Sequence, residues 1–546
     1  MFKPKKKYSL ALLFIVVSIV WYIQAFQYGF VSDFLGWVYK YQNGSFSDIA
    51  NCFGYNGNHQ FFHLVNYSFY KLAGNQFLLW SILFAGLHGV NAYLLFQLIL
   101  KLKDRWHLDL KHIEWFVSFL FLIAPFQIET LSWNACLHYL ISLFFLLLIL
   151  IKTLSFLENQ KPFDLVILTG AFLLSLFTLE INFSTPFICL AVLFFDNMLI
   201  SNRPVIDRNW YKVLGPLFSL LILYFVLNKL ILGDWIGHYG TEVHLSMPFH
   251  QIIANGFSYI LHHAVYLDLF EYNTQKIFYD FISKPIVSYS LLLISIAGLT
   301  FAILKFNKLD PKLKLAGVFL VVFFMALVPI LSLYFYYVTP FKNDRYLYFA
   351  SPFLFISVCT LAYYLNYTWR YSILILYVLF ATIFSRANLK STALAAQGAE
   401  YMLLNFPCEK YQDKEIVLLG LADNFRGCYL YSDYADDANS FKKAMEIRYP
   451  ERTCHTNLLN PAQFNMKFSS DGLGAHFVDE KTIKVFIQQW GTWFWRHGKG
   501  LGSYETPRYR VETHGWYYLL HLKEDFENAV FLLPEGAEWK ELKRAG

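Results

Sequence analysis

Eleven stretches of this chain are apolar over lengths at or near what a helix needs to cross a hydrocarbon core of roughly 30 Å. They fall near 9–29, 76–100, 113–125, 138–152, 163–180, 186–200, 213–232, 286–305, 315–338, 348–366 and 371–386. Runs of this kind leave few folding options, because a backbone in lipid must satisfy its own hydrogen bonds and a helix does so within each run. Two of them, 113–125 and 371–386, are short for a span. Charged residues are only 15% of the chain, where a soluble globular protein carries about 25%. Aromatic residues reach 20%, which suits many lipid-facing surfaces and two interfacial belts. Disorder, a disulfide scaffold and an ordinary cytosolic enzyme are excluded. The expected fold is an α-helical polytopic membrane protein of about 11 transmembrane helices, followed by an α+β domain outside the membrane.

Charge placement sets the topology. The net charge of +6 comes from short clusters between apolar runs and does not point to nucleic acid. Lys3, Lys5, Lys6 and Lys7 precede an apolar run from Leu10 to Phe26 that lacks an Ala-x-Ala-like cleavage site, so the N-terminus reads as an uncleaved cytoplasmic start. Loops on the same side hold Lys101, Lys103, Arg105, Lys111, Arg203, Arg208, Lys305, Lys308, Lys312 and Lys314. The other side has longer loops with fewer cations, as the positive-inside rule expects. Its two long loops, 30–75 and 233–285, lie outside, and the aromatic stretch from His250 to Phe270 reads as an amphipathic segment lying in the interface. The membrane domain spans 1–386; 387–546 reads as a small α+β domain. There, Ile416–Leu421, Thr482–Ile487 and Tyr517–Leu522 alternate with Gly, Asn and Asp turns. Eleven crossings place that domain outside a cytoplasmic membrane. Cys136, Cys189 and Cys359 read as small hydrophobes, while Cys408, Cys428 and Cys454 offer one disulfide to an exported domain.

Polar residues in or beside the spans are costly unless buried, paired or functional. Asp33, Glu129, Glu180 and Arg345 all fall at outer ends of spans and come from four distant segments. Three carboxylates and one guanidinium on one face suit a substrate with a hydroxyl to deprotonate and a phosphate to grip. The bland alternatives are a solvated Asp33, structural pairing of Glu129 or Glu180 with Arg345 or helix ends, and a surface pair for Asp344 beside Arg345. His88 and Asn91, one turn apart, read as an interhelical hydrogen-bonding pair. His238, His244, His250, His262 and His263 lack zinc-ligand spacing and read as interfacial side chains. Trp490, Trp493 and Trp495 near Arg496 read as packing residues, with sugar stacking as the sharper alternative.

The segments "SDF", "LHGVN", "APFQIETLSW", "LEINFSTP" and "DRYLYFASP", in that order, resemble the GT-C superfamily of integral-membrane glycosyltransferases. The pattern is nearest the branch around protein O-mannosyltransferases and their bacterial relatives, and covers about residues 10–370. The resemblance implies a sugar moved from a polyprenyl-phosphate donor to a hydroxyl on an exported glycan, lipid or protein acceptor. It implies Asp33 as general base, Arg345 as the contact to the lipid-linked phosphate, and Glu129 and Glu180 lining the pocket. Asp344 joins them as a substrate-binding candidate. So do His59 and His63, which stand near where relatives carry an Arg-Pro pair. Many relatives have two adjacent acids at Ser32-Asp33, and Leu179 stands where they have Lys. The chemistry requires no cofactor, although clustered carboxylates leave room for a divalent metal. The competing readings are an envelope polysaccharide polymerase or ligase and, third, a lipid or solute transporter.

Overall fold

The computed structural model describes residues 4–27, 29–50, 57–200, 208–237, 246–266, 272–305, 308–333, 343–431, 439–452, 457–466, 471–488, 492–494, 502–523, 526, 528–535 and 538–544. Among the described residues seven helices are long and apolar enough to cross a membrane, and counting each of two bent pairs as one span raises the number to nine. Two shorter apolar helices, Tyr8–Trp21 and Pro162–Leu176, occupy the remaining expected positions. The fold is thus a polytopic helical bundle carrying a strand-rich C-terminal domain.

Boundaries shift for local reasons. The first helix is Pro4–Trp21, and a 3-10 turn Ile23–Gln27 replaces the expected end of the 9–29 run. The helix Ile113–Ile123 stops at Ala124, whose extended ψ of 134° is what a residue before proline adopts. From Pro125 the chain resumes at a bend of 51°, through Pro125–Gln127 and Ile128–Ser132. This bend positions Glu129. Gln127 pins it by donating to Ser351 Oγ at 3.1 Å. The helix Pro311–Leu327 gives way to the 3-10 segment Val328–Leu333, and the expected end of this run at 338 lies outside the described residues.

The last membrane helix differs most from expectation. It runs Tyr367–Leu404, well past the compositional boundary at 386. Apolar character ends there, but Leu389, Ala393, Leu394, Ala395, Ala396 and Ala399 are strong helix formers, so the helix carries on out of the apolar layer.

Both long loops expected outside contain helices among the described residues. The first contains Asp33–Asn43, Phe46–Ala50 and Gln60–Ala73; the second contains Phe249–Val265 and Tyr272–Ile282. In the second loop, His262 and His263 are almost wholly buried, which corrects the expectation of interfacial side chains. His263 packs between Phe126 and Phe355, with ring centroids 4.9 and 4.4 Å away. Packing against the bundle's aromatic residues outweighs the solvation an imidazole would keep at the interface. His238 and His244 lie outside the described residues.

Four cations gather at the bundle end opposite Asp33, Glu129 and Arg345. Lys101 pairs with Glu158 at 3.0 Å, Lys103 with Glu114 at 2.6 Å and Lys152 with Asp164 at 2.8 Å. Arg105 grips Asp196 through Nε and Nη2, and Trp106 Nε1 donates to the same carboxylate at 3.0 Å. His88 and Asn91 join helices, as the sequence suggests: Asn91 donates to Leu140 O at 2.9 Å and both residues meet the Tyr348 hydroxyl.

The C-terminal domain holds one helix, Asn439–Arg448, and three sheets among the described residues. The strand Glu415–Leu418 lies parallel to Ala529–Glu535 and to Leu458–Leu459. A five-stranded antiparallel sheet contains Thr482–Gln488 and Tyr517–Leu522, and a third sheet pairs Leu421–Phe425 with Gln463–Met466. Of the three apolar runs picked from sequence, Thr482–Ile487 and Tyr517–Leu522 are strands, while Ile416–Leu421 is a strand to Leu418 and reaches the start of the next one at Leu421. Cys408 is disulfide-bonded and Cys428 is a free thiol; Cys454, with Trp490, Trp495 and Arg496, lies outside the described residues.

Candidate active site at one end of the bundle

Arg345 opens the helix Arg345–Leu361, and Asn343 two residues earlier takes a left-handed φ of 87°, a conformation Asn tolerates. The first amides of a helix lack intrahelical partners. Glu129 satisfies one of them from another segment: its Oε2 accepts the Arg345 backbone N–H at 2.7 Å. Its Oε1 accepts from the Arg345 guanidinium Nη1 at 2.6 Å. One carboxylate therefore reads both the main chain and the side chain of Arg345, complements the helix dipole and fixes the guanidinium.

Aromatic rings complete the enclosure. The guanidinium lies 4.6 Å from the Tyr346 ring centroid and 5.1 Å from that of Trp133, distances at which a cation is held by π faces. Tyr429, from the C-terminal domain, packs against Trp133 with ring centroids 4.4 Å apart and the planes tilted by 37°, and its hydroxyl stands 3.5 Å from Nη1. Arg345 is only 8% exposed, so its charge acts in a poorly screened setting.

Asp344, beside it, is not a surface pair. It is buried and accepts from or donates to His262 Nε2 at 2.6 Å, according to protonation, which ties the second outer loop to the start of the Arg345 helix. Asp33 opens the helix Asp33–Asn43, whose first turn offers a positive dipole end to a carboxylate. The preceding Ser32 is buried with a φ of 54°, a strained conformation for a residue with a Cβ. Ser32 Oγ is 3.4 Å from Asp33 Oδ1. The helix packs on the turn Asn134–Cys136, and the Cys136 sulfur lies within electrostatic reach of Asp33, Glu129 and Arg345 together. Three of the four charges singled out from sequence thus lie around Cys136.

Glu180 makes a different contact. It begins the 3-10 turn Glu180–Ser184 and meets His59 Nε2 at 2.9 Å, instead of orienting Arg345. Asn182 holds that turn by donating to Ser142 Oγ, Ser175 O and Leu179 O at 2.8, 3.0 and 2.9 Å. Burial disfavours the charged His59, yet the charge and hydrogen bond of Glu180 more than offset this and raise its pKa. His63, one turn along, meets the Tyr41 hydroxyl at 3.2 Å and lies against Trp37. Burial, with His59 and Lys40 nearby, lowers its pKa to about 3. Among the described residues no group of three or more His, Cys, Asp or Glu side chains gathers as a metal-ligand set.

His63 has a measurable consequence. An unfolded histidine takes up its proton near the ordinary value of about 6.5, whereas folded His63 resists until about 3, so its burial costs stability as pH falls through that window. His63→Gln keeps a partner for Tyr41 and cannot titrate. Between about pH 7.5 and about pH 5 it is expected to lose about 2 kcal/mol less stability than the wild type. Thermal unfolding in detergent at the two pH values checks this; an unchanged acid shift contradicts it.

No family model matches the chain, and no curated protein sequence matches it. Among solved structures it is similar to the arabinofuranosyltransferase AftD from Mycobacteria, determined by single-particle cryo-EM, with 9% sequence identity and a TM-score of 0.40. The likeness covers 96% of this chain and 40% of that one, so the chain spans about two-fifths of that protein's length.

Trp133 and Tyr346 stand inside the motifs picked from sequence but carry no charge, so attention to charged residues passes over them. Tyr429 has no sequence signal at all, because nothing in the chain announces that its strand meets the membrane domain.

Proposed function

We propose that this protein is a membrane glycosyltransferase of GT-C type that moves one sugar from a polyprenyl-phosphate donor to a hydroxyl on an exported glycan, lipid or protein. The observation that carries this reading is the Arg345 guanidinium, immobilised by Glu129 and three aromatic residues at one end of an apolar bundle, with Asp33 in the same neighbourhood. A lipid phosphate resting at a membrane surface needs a fixed cation there, and an acceptor hydroxyl needs a base beside it.

The steps follow from the groups present. Asp33 takes the proton of the acceptor hydroxyl as that oxygen bonds to the anomeric carbon. The bond from that carbon to the phosphate oxygen breaks, and its electron pair leaves on the phosphate. Arg345, planar and permanently charged, holds the phosphate oxygens with the N–H groups Glu129 leaves open. A single displacement inverts the anomeric centre. Glu129 acts by aiming Arg345, while Glu180 with His59, and His63 beside them, form the wall of the first outer loop. Asp344 acts through His262. A resident metal is not part of these steps.

The site faces outward in this reading. The far-end clustering of Lys101, Lys103, Arg105 and Lys152 supports a cytoplasmic far end and N-terminus. The disulfide at Cys408 supports an oxidising compartment for the domain that follows residue 386. NMR of the product formed from a polyprenyl-phosphate sugar tests the mechanism: an inverted anomeric linkage is expected, and retention would contradict a single displacement.

A further inference from the structure

The part of the C-terminal domain that reaches the site is a hairpin. Leu421–Phe425 turns through Arg426 and Gly427, with φ of 50° and 85°, into Cys428–Tyr429. Two left-handed central residues give a turn whose twist matches the strands it joins. Asn424 secures it: its Oδ1 accepts the Gly427 N–H at 2.9 Å, and its amide donates to Asp423 and Asn465 at 2.9 and 2.5 Å. Arg426 N–H donates to Met466 O at 2.9 Å and Leu430 N–H to Asp423 O at 2.8 Å. On the other side Cys428 Sγ lies 3.4 Å from Thr392 Oγ1, and the Tyr431 hydroxyl donates to Ala399 O at 2.6 Å, both on the last membrane helix. The hairpin is therefore held at both ends, with Tyr429 set against both Trp133 and Arg345.

We propose that Tyr429 is a positioning residue through which the C-terminal domain sets the affinity of Arg345 for a lipid-linked phosphate. The inference rests on the reading of Arg345 as the phosphate clamp. Trp133 and Tyr346 present ring faces to the guanidinium and Glu129 holds one edge, which leaves sideways motion toward the C-terminal domain to be stopped by Tyr429. A phenol suits that place better than a second carboxylate, because it accepts a hydrogen bond without neutralising the cation. Burial raises the Tyr429 pKa, and Arg345 beside it only partly opposes this, so the hydroxyl keeps its proton.

The test uses full-length protein in detergent micelles, with undecaprenyl phosphate and uncharged undecaprenol as probes. Wild type is expected to bind the phosphate more tightly than the alcohol. Tyr429→Ala removes the ring and the hydroxyl together and is expected to weaken phosphate binding ~10–100-fold, with alcohol binding unchanged. Tyr429→Phe keeps the ring and loses only the long hydrogen bond from Arg345, so a loss of only ~3–10-fold is expected. In turnover the effect should fall on KM for the donor and leave kcat at saturating donor near wild type. Equal phosphate binding by wild type and Tyr429→Ala, or an equal loss for phosphate and alcohol, overturns the positioning role. Should Tyr429→Ala fail to fold, phosphate binding by Tyr429→Phe that matches wild type does the same. A wild type that does not distinguish phosphate from alcohol overturns the clamp reading itself, and this inference with it.

Discussion

Arg345→Lys is expected to lower kcat/KM for a polyprenyl-phosphate sugar ~10²–10³-fold, the range seen when one fixed donor to a developing negative charge is removed. Lysine keeps the charge, so Glu129 retains a cation to pair with. It cannot contact Glu129 and a phosphate at once with planar, paired N–H groups, and it does not spread flat between Trp133 and Tyr346. Arg345→Ala goes further. It leaves Glu129 nearly buried with only the backbone N–H as partner, and breaking a buried ion pair from one side typically costs about 3–5 kcal/mol. The two variants together separate roles: lysine reports on the phosphate, alanine on phosphate and stability combined. Wild-type kcat/KM in a folded Arg345→Lys protein would remove Arg345 from phosphate binding.

Asp33→Asn is expected to reduce kcat ~10²–10⁴-fold, the usual contribution of a positioned general base. Asparagine is nearly isosteric and still accommodates the Ser32 hydroxyl, so the strained turn and the helix Asp33–Asn43 should persist. Donor affinity belongs to Arg345 and should change little. Asp33→Glu restores the carboxylate but moves it by one methylene, so partial recovery is expected. A decrease in donor affinity without a decrease in kcat would assign Asp33 to binding instead of proton transfer.

The bundle was legible because lipid imposes a length on every span: among the described residues seven of the eleven runs became full-length helices, two became bent pairs, and two became the shorter apolar helices Tyr8–Trp21 and Pro162–Leu176. Their ends were less legible. Pro125 marks a bend in the sequence, yet only the folded chain shows that the bend delivers Glu129 to the backbone of Arg345. Composition marks 386 as the end of the apolar layer, but helix propensity, not hydrophobicity, decides that the helix continues to Leu404. Charge pairing was legible in part. Glu129 meets Arg345, whereas Glu180, of the same residue type and on the same side, meets His59, because pairing depends on which turns face each other. His262 shows the limit of reading an amphipathic stretch alone: a partner 82 residues away, Asp344, decides whether it faces lipid headgroups or the core.

The most direct measurement is release of polyprenyl phosphate from lipid-linked sugars by membranes containing equal amounts of wild type or Asp33→Asn. A glycosyltransferase with its base on the first outer loop predicts release by the wild type with at least one sugar of a panel, abolished by this single change. Release undiminished in Asp33→Asn would contradict the base assignment, and no release by the wild type with any sugar would contradict the transferase reading and favour polymerase or transport chemistry.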